Sequence, residues 1–193
     1  MSRAADPLET LQDSLRGAPI IWKGDYPYFI HPISDGIPRM EAEVLRATRD
    51  LIVGMVDWSE IDIVVSVEAM GLPLLAAVGE ATGKPTVVIR KRPYGMEGEV
   101  RVDVSTGYSS STAYINDINP GERILVVDDV ISTGGTLEPL LEALEKMGAI
   151  LKGVIIAIEK GEGRERLAKE RPNWPIYSLA RIDIVEGRVE IVE

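Results

Sequence analysis

The stretch ILVVDDVISTGGT, residues 124–136, decides the fold of this chain. Its first four residues form an apolar run, which is typical of a strand buried on both faces of a parallel sheet. The run leads to Asp128 and Asp129, and the hydroxyl- and glycine-rich loop Ser132–Thr136 then precedes a helical pattern. Because ligands of parallel α/β sheets bind at the carboxyl ends of the strands, we expect the functional site here.

This loop has the composition of a phosphate-binding loop. Gly134 and Gly135 allow backbone N–H groups to converge on an anion, and the following helix adds its dipole. Ser132, Thr133 and Thr136 supply hydroxyl donors. The two carboxylates before the loop suit a ribose diol, or a divalent cation bound to that diol. The plainer structural alternative is a turn followed by a glycine helix cap, but the combination in this order favours binding.

The flanking sequence alternates strand and helix patterns, which predicts an α/β fold with a central parallel sheet flanked by helices. Apolar and polar residues alternate on both sides of Gly187, which predicts a hairpin near the end of the chain, either at the sheet edge or in a lid. The predicted strands are Ile61–Val67, Pro85–Arg90, Ile124–Val127 and Gly153–Ile158. The predicted helices are Leu8–Leu15, Glu41–Val56, Gly71–Thr82 and Leu137–Met147.

Two regions lack a clear pattern. Ala18–Pro38 is rich in proline, glycine and aromatic residues and is expected to be irregular. Lys91–Asn116 is a long segment with glycines and a serine run, and we expect a functional loop because such long loops are rare inside a compact domain. The 193 residues fit one domain, with a core over 61–160 that contains the candidate binding loop and the long 91–116 segment.

Composition excludes several classes of function. The formal net charge is −10, which argues against binding to nucleic acid or an anionic membrane. The chain has one histidine and no cysteine, so thiolate catalysis, a histidine-centred triad and a metal site built on cysteines or several histidines are not expected. Neither a long apolar run nor a hydrophobic leader occurs, and we expect a cytoplasmic protein.

The stretch 124–136 resembles the motif that binds phosphoribosyl pyrophosphate (PRPP) in type I phosphoribosyltransferases. The resemblance implies that Asp128 and Asp129 are catalytic and hold the ribose, while Ser132–Thr136 hold the 5′-phosphate. It also implies Mg²⁺ held mainly by PRPP, a purine base as second substrate and a homodimer. Tyr108, in the long 91–116 segment, matches a tyrosine of the flexible catalytic loop in adenine enzymes.

The segment after the first buried strand lies where the family has its pyrophosphate loop. The residues implied by that position are Glu68, Ala69, Met70 and Gly71. Many relatives have an arginine where this chain has methionine. Arg90 and Lys91 therefore become candidates for binding PRPP, with Arg92 as a third possibility, because they end the next strand on the same sheet edge.

Residues 24–38 resemble the hood of archaeal hypoxanthine phosphoribosyltransferases, a group related to the adenine enzymes. A small hood over the carboxyl ends of the strands is implied, with Phe29 and Ile33 as base-binding residues, although a core role fits them equally. The resemblance favours hypoxanthine or guanine as substrate. Two alternatives stay open: an adenine enzyme, against which Gly107 counts because it replaces a glutamate, and a regulator that binds PRPP or nucleotide without catalysis.

Overall fold

A six-stranded sheet lies at the centre of this computed structural model, which describes residues 6–24, 26–105 and 110–192. The strand order is β10-β9-β8-β7-β3-β4, with every neighbouring pair parallel except β9 and β10. The sheet confirms the predicted parallel α/β architecture. Its strands are β3 (Ile63–Val67), β4 (Thr86–Ile89), β7 (Arg123–Ile131), β8 (Ile150–Lys160), β9 (Ile176–Val185) and β10 (Arg188–Val192).

Apolar residues cover both faces of this sheet, because successive side chains of a strand point to opposite sides. Val64 packs with the helices α1, α3 and α4, and its neighbour Val65 packs with α5 on the other face. The helices are α1 (Pro7–Arg16), α2 (Pro32–Asp35), α3 (Ala42–Gly54), α4 (Gly71–Thr82), α5 (Leu137–Lys146) and α6 (Gly163–Glu170). A short 3₁₀ helix, Trp58–Glu60, leads into β3.

Local signals explain where the helices begin and end. The carboxylate of Asp6 accepts a hydrogen bond from the amide of Leu8 and caps α1, whose first residue is Pro7. Helix α4 ends at Gly83, which has φ +68° and so takes a left-handed conformation that favours glycine. The sequence predicts the same first and last residues for α4, Gly71 and Thr82.

Two regions predicted to lack regular structure contain antiparallel strand pairs. The segment Ala18–Pro38 contains β1 (Ile20–Lys23) and, within the hood, β2 (Tyr26–Phe29). The long 91–116 segment contains β5 (Val100–Ser105) and β6 (Ser110–Ile115), which pair as a ribbon. The prediction of a patternless loop was therefore wrong for the part of this segment that forms the ribbon, since the alternating valines of β5 bury one face against the core.

Strand β7 is four residues longer at its end than the sequence predicts. Its pairing with β3 ends at Val126, but its pairing with β8 continues to Ile131. Asp128 and Asp129 therefore lie inside a strand, at the place where its pairing with β3 has already ended. Helix α6 was not predicted, and the β9–β10 hairpin at the sheet edge was. Among the helices of the described residues, none is long and apolar enough to cross a bilayer.

Candidate active site

The twin carboxylates face a cavity of about 430 Å³ at the carboxyl edge of the sheet. Asp128 and Asp129 are partly buried, and Asp128 Oδ1 accepts a 3.0 Å hydrogen bond from the amide of Asp129. Burial raises the pKa of Asp128. Burial and then the charge of Asp128 raise the pKa of Asp129 well above its usual value. Two acids held this way favour a ligand that brings donors or positive charge.

The predicted phosphate loop forms one wall of the same cavity. Its lining residues are Ser132, Thr133, Gly134, Gly135 and Thr136. Gly134 has φ +81°, and a Cβ added there would lie 2.9 Å from the side chain of Leu167. A Cβ added at Gly135 would lie 2.5 Å from the carbonyl oxygen of Ser105, on β5. Both positions therefore require glycine, the first for its backbone conformation and the second for a close approach.

The opposite wall comes from the hood and from β8. Tyr28, Phe29, Ser34 and Lys160 line it. The hydroxyl of Tyr28 donates a 2.6 Å hydrogen bond to Asp35, which fixes the ring across the cavity. Phe29, predicted as a base-binding residue, also lines the cavity and is 5% exposed.

Lys160 is the residue that sequence reasoning missed. Its Nζ donates a 2.7 Å hydrogen bond to the carbonyl of Pro27 and lies 6.0 Å from the centre of the Phe29 ring. It ends β8, two residues after the buried apolar run Val154–Ile158, and a polar residue at the carboxyl end of such a strand was the available signal.

Ile33 lies in the core, the role that the sequence left open beside base binding. Its side chain is 1% exposed and packs in the hydrophobic cluster beneath the hood, and it is not among the side chains that line the cavity. The reason is that Ile33 lies in the first turn of α2. His31 caps this helix: its Nδ1 accepts a 3.2 Å hydrogen bond from the backbone amide of Ile33. Helix α2 turns that side chain inward.

The predicted pyrophosphate loop lies beside the cavity rather than in its wall. The peptide between Glu68 and Ala69 is cis. Glu68 bonds Arg90 Nη2 at 3.2 Å and also accepts from the backbone amide of Lys91. A Cβ at Gly71 would lie 2.9 Å from Asp128 Oδ1, so this loop touches the twin acids.

The basic candidates differ in their surroundings. Arg90 is held by Glu68, and Arg92 donates a 3.0 Å hydrogen bond to the hydroxyl of Tyr94. Lys91 is close enough to Asp128 for its charge to oppose the rise in pKa that burial causes there. Met70, which stands where many relatives have arginine, lies against the hood: its Cε is 3.4 Å from the point where a Cβ of Gly36 would lie.

Part of the predicted catalytic loop lies outside the described residues. Gly107 and Tyr108 fall in the gap between β5 and β6, so the placement of Tyr108 is not described. Glu99 is described, and its carboxylate accepts the amides of Tyr94 and Gly95 and the side-chain amide of Asn116. It closes the turn before the ribbon.

Residues 35–174 match the phosphoribosyl transferase domain family. The hypoxanthine/guanine phosphoribosyltransferase of Ferroglobus placidus is 47% identical over 186 residues, which cover 96% of this chain and 98% of that protein. The enzyme of the same description from Methanococcus maripaludis is 44% identical over 183 residues, covering 95% and 98%.

Among solved structures, the chain is similar to the adenine phosphoribosyltransferase from Rhodothermus marinus, with a TM-score of 0.74, 26% identity, and coverage of 91% of this chain and 98% of that one. The adenine phosphoribosyltransferase from Saccharomyces cerevisiae shares the fold, with a TM-score of 0.73, 22% identity, and coverage of 90% and 98%. The relatives similar in sequence and those similar in structure are thus named for different purines.

Proposed function

The chain belongs to the phosphoribosyl transferase domain family, and from this membership we propose that it transfers the 5-phosphoribosyl group of PRPP to N9 of hypoxanthine or guanine. The products are IMP or GMP and pyrophosphate, so the reaction belongs to purine salvage. Identity of 43–47% over nearly the full length with enzymes of this description supports the assignment.

The observation that carries the choice of base is Lys160 in the same cavity as the twin acids and the phosphate loop. An ammonium group has three donors and no acceptor. A 6-oxopurine presents an acceptor at position 6, whereas adenine presents an amino group there. Lys160 therefore favours the 6-oxopurine, and it would leave the adenine amino group facing a cation.

The remaining walls suit the two ends of PRPP. Asp128 and Asp129 accept the ribose hydroxyls, and the amides and hydroxyls of the loop 132–136 hold the 5′-phosphate. Departure of pyrophosphate leaves positive charge at the ribose C1, which the nearby carboxylates stabilise. Phe29 covers the purine so that N9 approaches C1, and geometry and electrostatics provide most of the rate enhancement.

Magnesium is part of the proposal. The twin acids supply the hard oxygen ligands that Mg²⁺ prefers. Across residues 6–24, 26–105 and 110–192 no three acidic or histidine side chains converge as a metal site. A bound Mg²⁺ would accordingly take most of its ligands from PRPP, where it neutralises the leaving pyrophosphate.

The decisive experiment is a base panel. Initial rates with adenine, hypoxanthine, guanine and xanthine, measured with PRPP and Mg²⁺, should give the highest kcat/KM for hypoxanthine or guanine. If adenine equals or exceeds both, the adenine assignment replaces this one. If PRPP binds but no base reacts, the chain is a regulator rather than an enzyme.

Homodimer formation and a cytoplasmic location complete the proposal. Met55 is 48% exposed after α3 and offers apolar contact surface, while Val56 and Trp58 are partly buried against the core. Light scattering should therefore give a mass close to twice 21.1 kDa. A mass of one chain at micromolar concentration would contradict the dimer.

A further inference from the structure

Helix α6 packs against the outer side of the phosphate loop, away from the cavity. The amide of Gly163 donates a 2.8 Å hydrogen bond to the carbonyl of Ser132. Nη2 of Arg166 donates a 3.2 Å hydrogen bond to the carbonyl of Thr133. The loop residues line the cavity and none of the α6 residues does, so the helix and the cavity lie on opposite sides of the loop.

These two bonds fix the direction of the loop amides. In a trans peptide the C=O and N–H groups point in opposite directions, and the peptides of this loop are trans. Because α6 holds the carbonyls of Ser132 and Thr133, the amides of Thr133 and Gly134 turn to the other side. That side is the cavity, where a phosphate accepts them.

Contact this close requires glycine at the start of α6. A Cβ added at Gly163 would lie 2.6 Å from the carbonyl carbon of Thr133 and 2.8 Å from the amide nitrogen of Gly134. Both neighbours are backbone atoms of the loop, so no rotation of a side chain relieves the overlap. Any larger residue at this position pushes the helix and the loop apart.

Arg166 acts through geometry rather than through charge. The same Nη2 atom also bonds Glu138 Oε2 of α5 at 2.9 Å, and Nη1 bonds Glu170 Oε2 at 2.5 Å. Two carboxylates offset the guanidinium charge, so the side chain adds little to the attraction for an anion. It connects the loop to α5 and α6 at once.

A buried carboxylate holds the first turn of α6 in place. Glu159, which is 0% exposed, accepts hydrogen bonds of 2.5 Å from Arg164 Nε and from Ser178 Oγ. The charge of Glu159 is therefore paired with a residue of the helix. The helix is consequently a fixed support for the loop rather than a loosely attached one.

We propose that Gly163 and Arg166 are positioning residues that aim the amides of Thr133 and Gly134 at the 5′-phosphate. This role rests on the proposed function in one respect only, namely that the loop takes a sugar phosphate. Neither residue touches the substrate. Their effect is therefore expected in the affinity for the phosphorylated ligand, with the base site unchanged.

Calorimetric titration with ribose 5-phosphate tests the role without requiring catalysis. Arg166→Ala should weaken binding about tenfold, as loss of one hydrogen bond from a charged donor implies. Arg166→Lys, which keeps the charge but not the forked geometry, should retain only part of the affinity for ribose 5-phosphate that Arg166→Ala loses. Steady-state kinetics should show a raised KM for PRPP, an unchanged KM for hypoxanthine and nearly unchanged kcat.

Arg171→Ala is the matched control. Arg171 pairs with the α5 carboxylates Glu142 and Glu138, the second of which also bonds Arg166, and it is 43% exposed compared with 38% for Arg166. Among the described residues no hydrogen bond or ion pair joins Arg171 to the loop, so the variant perturbs the same carboxylate without removing a bond to the loop. Arg171→Ala should bind ribose 5-phosphate like the unchanged protein. It should change the melting temperature by about as much as Arg166→Ala does. Gly163→Ala, if it folds, should weaken binding at least as strongly as Arg166→Ala.

The outcomes separate this inference from the proposed function. Equal affinity of Arg166→Ala and the unchanged protein, or equal weakening in Arg171→Ala, overturns the positioning role. Failure of the unchanged protein to bind ribose 5-phosphate also overturns it. If the variants differ as expected but no purine is transferred, the positioning role stands and the proposed transfer is wrong.

Discussion

The amide of Ser105 donates a 3.1 Å hydrogen bond to the carbonyl of Gly135, which joins the end of β5 directly to the phosphate loop. The ribbon and the loop also touch through the Ser105 carbonyl, which excludes a side chain at Gly135. Because β5 leads toward Tyr108, the position of the ribbon and the occupancy of the loop are expected to depend on each other.

Gly135→Ala should separate the ribbon from the phosphate loop. The added methyl group overlaps the backbone of Ser105, and relief of such an overlap costs about 1–3 kcal/mol. We expect kcat/KM for PRPP to fall about tenfold or more. Gly54→Ala is the control, since a Cβ there meets nothing within 4 Å. Equal kinetics of the two variants would show that the contact has no role.

Lys160→Met should reduce the preference for 6-oxopurines. Loss of a charge-assisted hydrogen bond of about 1.5–3 kcal/mol lowers kcat/KM for hypoxanthine about 10- to 100-fold. The value for adenine should not fall. Lys152→Met removes a lysine from the same strand, where it pairs with Glu60 far from the cavity, and should leave both values unchanged. A parallel loss for both bases would assign Lys160 a structural role instead.

Asp129→Asn should stabilise the protein while removing its activity. Burial and the charge of Asp128 raise the pKa of Asp129 in the folded state, so the folded protein binds more protons than the unfolded chain. This lowers stability as pH rises through the raised pKa. The variant should therefore melt higher than the unchanged protein at pH 8, and the difference should shrink as pH falls toward 4.

Scanning calorimetry at several pH values measures this difference. Asp13→Asn, an exposed position with 64% of the carboxylate side chain accessible, provides the comparison. It should show no such dependence. If Asp129→Asn melts lower than the unchanged protein at pH 8, the carboxyl group is not destabilised by its surroundings and the electrostatic account of the site is wrong.

His31 should make stability fall in acid. Burial lowers the pKa of His31 to about 4, because the neutral ring is enclosed between Ser14 and the amide of Ile33. The unfolded chain binds the proton near pH 6.5, so the stabilisation is complete above that value and is lost as pH falls toward 4. The loss by pH 4 is up to about 3 kcal/mol.

The test uses the fact that the chain has one histidine. Its imidazole signals in a proton NMR titration report this pKa without assignment, and urea unfolding at pH 4, 5, 6 and 7 reports the stability. His31→Asn keeps an acceptor at the helix cap and should flatten the profile between pH 6.5 and 4. A histidine pKa near 6.5 in the folded protein would contradict this explanation.

Local patterns were sufficient for much of the fold and part of the site. A buried strand and a helix are each encoded by a few consecutive residues, so β3, α4 and the loop 132–136 could be placed in advance. The ribbon β5–β6 was missed, although its valines alternate, because a two-stranded element gains its stability from packing on α5 and β4 rather than from its own sequence. Helix α6 was missed for a similar reason: it is short and largely polar.

The sequence by itself determined the parallel sheet, the twin acids and the glycine-rich loop 132–136, because each depends on neighbours along the chain. Only the tertiary structure decided that Lys160 enters the cavity and Ile33 does not, and that Arg166 holds the loop from behind. These contacts join β8 to the hood and α6 to the loop. They depend on which strands lie side by side, and residue spacing within one segment carries no such information.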